Sequence, residues 1–296
     1  MAWRLKLVPE KTNWDFFQWQ WLTFGASIAA IVASIVLVLV MGLNFGIDFK
    51  GGTTIRTESA QPVDIGAYRT ALEELKMGDV SITEVFDPTF RADQHVAMIR
   101  IQAQQGQETL SPEDVARVKA ALQVPAPDVQ FASVETVGPK VSGELIKSAV
   151  MSVLAATVAI CVYVWMRFEW QFSLGAVAAL VHDVVVTVGV FALFRIKFDL
   201  TTIAALLTIL GYSINDTVVV FDRLRENLMK YKTMPLRDVM NLSVNETLSR
   251  TLMTSGSTLL ALTLLMIFGG DVIRSFVFAI FMGILLGTYS SIYVAK

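Results

Sequence analysis

Asp216 is a carboxylate set in an apolar stretch. It lies in Gly211-Tyr-Ser-Ile-Asn-Asp-Thr-Val-Val-Val-Phe-Asp-Arg223, in the second half of a run that begins at Leu200. A helix through that run carries the acid into a lipid bilayer, where a central charge costs roughly 2.5–3.5 kcal/mol on insertion scales. An acid held there needs a partner, a water path or a proton to exchange. A cation candidate, Arg250, stands at the start of the next apolar run. Thr208, Tyr212, Asn215 and Asp216 follow helical spacing, and Arg250, Thr254, Ser257, Thr258 and Ala261 repeat it. Two narrow polar stripes on consecutive antiparallel helices are expected to face each other, because neither suits lipid. Burial favours the neutral acid and a nearby guanidinium the ionised one. A change in the distance between Asp216 and Arg250 would therefore bind or release a proton. The bland alternative is a fixed structural ion pair.

A second acid, Asp183, follows His182 near the middle of another apolar run. The pair reads either as a proton relay or as a self-satisfied contact that packs two helices together. Metal binding would need more ligands than the sequence brings near it. Ala279, Gly283 and Gly287 form a small-residue face, suited to packing within the bundle or against another subunit. Asp222 and Arg223 stand where a helix leaves the membrane, and need no function to explain them.

The elements that must position these groups follow from composition. The chain has 296 residues, 54% hydrophobic and 17% charged, which is too apolar for an ordinary soluble protein. Six runs are long enough to cross a bilayer, at residues 22–43, 148–166, 172–194, 200–221, 251–268 and 275–294. The first is too long for a signal-peptide core and lacks a small-residue cleavage site, so it is expected to stay as an anchor. Pro235 and the stripe Leu236, Val239, Met240 and Val244 predict a short amphipathic helix on the membrane surface, within a cytoplasmic loop at about 222–250.

Orientation follows the Lys and Arg balance of the short flanks. Arg4, Lys6, Lys11, Arg167, Arg223, Arg225, Lys230, Lys232, Arg237 and Arg250 fall on one side, against Arg195, Lys197 and Arg274 on the other. Both termini are thus expected in the cytoplasm, with 1–21 as a cytoplasmic segment and 44–147 across the membrane. Trp14, Trp19, Trp21, Trp165 and Trp170 form an interfacial belt at the cytoplasmic ends.

Residues 44–147 have the texture of a small globular domain. Strand patterns at 53–58, 81–86, 95–102 and 129–137 alternate with helices at 64–76 and from Ser111-Pro-Glu-Asp114. The order βαββαβ is a ferredoxin-like α+β unit. The expected fold is therefore an α-helical polytopic membrane protein with six transmembrane helices, residues 148–294 carrying five of them, and this domain inserted after helix 1. Lys50-Gly-Gly-Thr-Thr54 lacks the spacing of a phosphate loop, so its glycines read as a sharp turn from helix to sheet. No cofactor is expected. A net charge of −2 argues against a nucleic-acid partner. The single cysteine, Cys161, excludes an intramolecular disulfide.

Four segments carry a family resemblance. They are Phe45-Gly-Ile-Asp-Phe-Lys-Gly-Gly-Thr53, Ala179-Leu-Val-His-Asp183, the stretch from Gly211 to Asn227, and Asn245-Glu-Thr-Leu-Ser-Arg-Thr251. With them the chain resembles the SecD/SecF family of protein-export membrane subunits, in the resistance–nodulation–division superfamily, over essentially its whole length. The six-helix length is similar to that of the smaller family type. The resemblance implies a half-transporter that pairs with SecD. Together with the SecYEG translocon and its accessory membrane subunits, the pair would use the proton-motive force to help an exported polypeptide complete its crossing of the bacterial inner membrane. It maps the family's proton-site acid and arginine onto Asp216 and Arg250. Members usually run on beyond Ile292-Tyr-Val-Ala-Lys296, so a longer sequence is expected.

Two other classes compete. Half of a proton-driven small-molecule exporter of the same superfamily would carry a larger porter region than 44–147 provides. An intramembrane aspartyl protease would need Asp183 and Asp216 brought together, and Arg250 argues against that by holding one acid ionised. The leading expectation is ion-coupled work with no bond-breaking chemistry, so not an enzyme. The sequence leaves open H⁺ against Na⁺ coupling.

Overall fold

The computed structural model describes residues 12–75, 77, 80–85, 90–91, 93–102 and 110–295. Arg4, Lys6 and Lys11 of the orientation argument lie outside the described residues, as do Lys76 and Phe86, the expected ends of a helix and a strand. Six helices are long and apolar enough to cross a membrane. They are α1 (Gln20–Met41), α5 (Pro139–Arg167), α6 (Trp170–Leu193), α7 (Leu200–Lys230), α8 (Leu236–Phe268) and α9 (Asp271–Tyr293).

The inserted domain has the expected order: β2 (Gly52–Ser59), α3 (Ile65–Glu73), β3 (Val80–Val85), β4 (His95–Gln102), α4 (Pro112–Gln123) and β5 (Gln130–Val137). The strands lie in the order β3-β4-β2-β5, all pairs antiparallel, which is the ferredoxin-like sheet. Asp64 caps α3 by accepting the Ala67 N–H, and Ser111 and Asp114 close a reciprocal capping box on α4. One sheet face, with Ile55, Ala97, Ile99 and Ile101, packs on Tyr68, Leu72, Val118 and Leu122 from the two helices. From Ala97 to Ile101 the period-two alternation of β4 sets core residues against the half-buried Met98 and Arg100, while Val96 is buried on that second face.

Helices α7 and α9 are in intimate contact. A methyl group on Gly283 would overlap the Ile209 side chain, and one on Gly287 would lie 3.2 Å from the Ser213 Cβ. The small-residue face of α9 is therefore spent inside the bundle, which decides between its two readings. Gly189 of α6 takes Ser34 of α1 in the same way.

Two expectations change. The region 222–250 is helical except for 231–235, because α7 and α8 extend well past their apolar runs. The amphipathic stretch after Pro235 is the first part of α8 rather than a separate surface helix. Its apolar stripe has protein to cover it: Val244 and Leu248 pack with Phe17, Val220 and Ile292, and Met240 lies against them. Polar anchors reinforce this. Asn245 accepts the Trp14 N–H and donates to the Trp14 carbonyl, and Arg237 pairs with Asp15 at 2.9 Å.

The link from α1 to the domain is bonded to the membrane part. A short strand, β1 (Asn44–Phe45), pairs in parallel with β6 (Lys197–Phe198), just before α7. The Gly46 N–H then donates to the Phe198 carbonyl at 2.8 Å. A single turn, α2 (Ile47–Lys50), follows and presents Asp48, whose carboxylate accepts the Leu200 N–H at 3.1 Å. Phe45, Phe49, Phe191 and Phe198 interlock edge to face around this point. Only then do Gly51 and Gly52 turn into the sheet with positive φ of 72° and 135°, a conformation that glycine adopts at no steric cost.

Candidate functional site

Asp216 is 4% exposed, on the face of α7 that also buries Ile209, Ser213, Thr217 and Val220. Ser255 of α8 donates its hydroxyl to the Asp216 Oδ2 at 3.3 Å. Thr288 of α9 donates in turn to Ser255 at 2.8 Å. A buried carboxylate thus rests on a chain of hydroxyls drawn from two helices. A hydroxyl can both donate and accept, so this shell tolerates either protonation state of the acid.

Arg250 is on the exposed side of α8, and among the described residues no ion pair joins it to Asp216. Its charge still bears on Asp216 across the low-dielectric interior. The two groups belong to neighbouring helices and are not in direct contact.

The remaining expected residues divide. Tyr212 reaches Thr258 across the α7–α8 seam, hydroxyl to hydroxyl, at 3.3 Å. Asn215, Thr208, Thr254 and Ser257 are exposed, and the hydroxyls of the last three turn back to carbonyls of their own helices. The expected facing stripe is therefore right in part on α8: Thr258 meets Tyr212, while Arg250, Thr254 and Ser257 are turned outward. A more deeply buried polar stripe, Ser243, Thr247, Thr251 and Ser255, follows the four-residue spacing one position later. Counting forward from Arg250 reached Thr258 but missed that stripe. An arginine with a long stem can sit at the edge of a contact face, so it does not mark the centre of that face.

His182 and Asp183 are both buried on α6, with Nδ1 and Oδ1 2.9 Å apart. The other carboxylate oxygen accepts from Ser213 of α7 at 2.7 Å and from Ser290 of α9 at 2.8 Å. Tyr289 lies against the His182 ring, with centroids 6.0 Å apart. Sequence reasoning missed Ser213, Ser255, Thr288 and Ser290. Each is a serine or threonine in an apolar helix, and only tertiary contact distinguishes those that serve an acid from those that bond their own backbone. Among the described residues no cluster of three metal-ligating side chains occurs.

At the far end of α7, Asp199 accepts the Thr202 N–H at 3.1 Å and pairs with Lys197 at 3.2 Å. Burial works against its charge, yet Thr201, Lys197 and the Thr202 N–H outweigh burial and hold its pKa below the usual carboxylate range. Burial lowers the pKa of Arg100 on β4, while the nearby Asp199 and Asp48 favour its charge. The domain's sheet and the start of α7 are electrostatically linked at this junction.

Fold and site together define a polytopic membrane protein with an acid buried in a helix seam and an α+β domain hung after its first helix. The profile described as "Protein export membrane protein SecD/SecF, C-terminal" matches residues 117–296, and "SecD/SecF GG Motif" matches 36–63. The chain is 69% identical to the protein translocase subunit SecF of Cereibacter sphaeroides, over 100% of its own length and 91% of the relative's. With the corresponding subunit of Rickettsia akari it is 41% identical, over 98% of the chain and 92% of that relative. Among solved structures, SecDF from Thermus thermophilus superposes with a TM-score of 0.84 at 35% identity, over 98% of this chain and 38% of that one. A SecDF structure in a super-membrane-facing form gives 0.71 at 37% identity, over 100% of this chain and 39% of that one. The chain belongs to the SecD/SecF family of protein export membrane proteins.

Proposed function

We propose that this chain is the six-helix subunit of a Sec protein-export machine. With a SecD-like partner it draws on the proton-motive force to assist late movement of a polypeptide through the SecYEG translocon and across the bacterial inner membrane. Asp216 carries the proton and Arg250 tunes its affinity. The termini lie in the cytoplasm and the α+β domain on the opposite side.

The observation that carries this reading is Asp216 itself: a buried intramembrane acid resting on hydroxyls, with a cation in reach but not in contact. The exposed polar residues beside it, Thr208, Asn215, Arg250, Thr254 and Ser257, support an obligate partner. Such a stripe is costly against hydrocarbon, and a second membrane half would cover it. The relatives' names and the match to 38% of a SecDF chain point to SecD as that half. The exporter alternative has no comparable support. The test is export into vesicles that carry the chain with its partner, under an imposed proton gradient. Gradient-stimulated export by the unsubstituted pair and none by Asp216→Asn supports the reading. Equal stimulation of both removes Asp216 from the mechanism.

A further inference from the structure

We infer that Asp183 is a positioning residue for the Asp216 site, acting through Ser213 and Ser290 rather than carrying a proton itself. The inference rests on the reading of Asp216 as the carrier. Asp183 is 0% exposed, and its surroundings are equally closed: His182 is 1% exposed, Ser213 2%, Ser290 0% and Thr187 0%. A carrier must load and unload, and the side chains bonded to Asp183 are closed to solvent; the half-buried Tyr289 lies one ring beyond, against His182. Asp216, by contrast, adjoins the exposed Asn215 and feels the exposed Arg250.

What Asp183 does have is partners on three helices. His182 of α6, Ser213 of α7 and Ser290 of α9 converge on one carboxylate. An ionised carboxylate offers about four acceptor positions, and three of these are matched here. Ser213 shares a helix face with Asp216, and Ser290 is on the helix that supplies Thr288. Ser213 is nearly one turn before Asp216 on α7. Ser290 is two residues after Thr288, which supports Ser255, the donor to Asp216. The close approach of Gly283 to Ile209 and of Gly287 to Ser213 packs α9 tightly on α7 beside this network. A displacement of either serine therefore reaches Asp216.

The ionisable groups around this network are His182 on α6, Asp216 and Tyr212 on α7, Arg250 on α8 and Tyr289 on α9. The first helix contributes the Ser27 hydroxyl, bonded to Tyr289 at 3.0 Å.

The experiment uses the full complex with its SecD-like partner in lipid nanodiscs. Dicyclohexylcarbodiimide, which attacks protonated carboxyls in apolar surroundings, is applied across a pH series, and labelling is read at each acid by peptide mass spectrometry. Asp183→Asn is compared with Ser213→Ala, Ser290→Ala and their combinations. The expected result is a shift of about one pH unit in the Asp216 labelling midpoint, a tenfold change in its protonation equilibrium. The shift has the same sense in the Asn and Ala variants, and the effects do not add when combined. The serines cannot titrate, so they carry the test if Asp183→Asn does not fold. An unmoved midpoint with a lowered melting temperature overturns the inference in favour of packing alone. Titrating label on Asp183 itself, with proton flux lost in Asp183→Asn and retained in both serine variants, overturns it in favour of a carrier. Absence of titrating label at Asp216 in the unsubstituted complex removes the carrier reading of Asp216, and this inference with it.

Discussion

The Asp48 carboxylate accepts the backbone N–H of Leu200 at 3.1 Å, so the segment leaving the first membrane helix caps the helix that bears Asp216. Asp199 caps the same helix end from its own side. Two acids at a helix N-terminus satisfy N–H groups that otherwise lack partners and complement the positive end of the helix dipole. Asp48→Ala should lower stability by about 1 kcal/mol, the usual cost of a lost cap. Asp48→Asn, which keeps an acceptor, should lie between. Thermal melts of the purified complex distinguish the three proteins. Equal melting of Asp48→Ala and the parent would mean that Asp199 caps alone.

Asp216→Asn keeps shape and most hydrogen bonding while removing the titration. It should leave partner binding intact and abolish gradient-dependent export. Arg250→Met should abolish it by another route, since without the cation burial keeps the acid neutral throughout the cycle. Vesicle export at matched expression measures both. Stimulation retained in Arg250→Met would assign the affinity change to the hydroxyl shell.

Gly283→Leu tests the α7–α9 contact. The added side chain overlaps Ile209, and overpacking of this kind typically costs about 1–3 kcal/mol. The chain purified without its partner should therefore melt at a lower temperature. Asn215→Leu and Thr254→Leu, on exposed faces, should instead spare the isolated chain and weaken co-purification with the partner. The opposite pattern would return the glycine face to an intersubunit role.

In the domain, the Ala60 N–H holds Asp128 below the usual carboxylate range, against an opposing effect of desolvation and with help from its own N–H, Ser59 and the Gln61 N–H. A pKa depressed by folding gives stability that is present above the unfolded value of about 3.9 and lost as pH falls through the folded value. Asp128→Asn should flatten that acid limb. Hydrogen exchange at Ala60 and Gln61 between pH 5 and about 3 reports it. Identical acid sensitivity in parent and variant would discount the contact.

Pivoting of the domain is expected at Gly51 and Gly52, because residues 44–50 are held by the β1–β6 pair and the Asp48 cap. A disulfide between the domain and the partner should block late export in oxidising medium and restore it on reduction. Full export with the bridge formed would leave the domain passive.

Hydropathy made the six spans legible, since a bilayer demands long apolar runs whatever their neighbours. Capping signals at Asp64 and Ser111 and the alternation of β4 made the inserted domain legible too. The phase of α8 was not. The spacing that starts at Arg250 includes Thr258, which meets Tyr212, but Ser255 lies one position off it on the buried face. Extension of α7 and α8 through 222–250 was hidden because charged helical turns such as Arg223 with Glu226 and Glu246 look like a loop to a hydropathy scale. The pairing of Asn44 with Lys197 is a two-residue contact across distant sequence, with no local pattern to announce it.

The hydroxyl seam between α7, α8 and α9 has a mechanical consequence. Thr258 reaches Tyr212 but also holds the Thr254 carbonyl at 2.9 Å, and Thr288 reaches Ser255 while holding the Ile284 carbonyl at 2.8 Å. If α8 slides, each threonine can fall back on its own helix, whereas the buried Ser255 hydroxyl would lose the contacts it makes to Asp216 and Thr288. The glycine contact between α7 and α9 has no such fallback and must travel as one body. The bundle is thus divided into a stiff pair and a lubricated neighbour, and the acid sits on the slip plane between them.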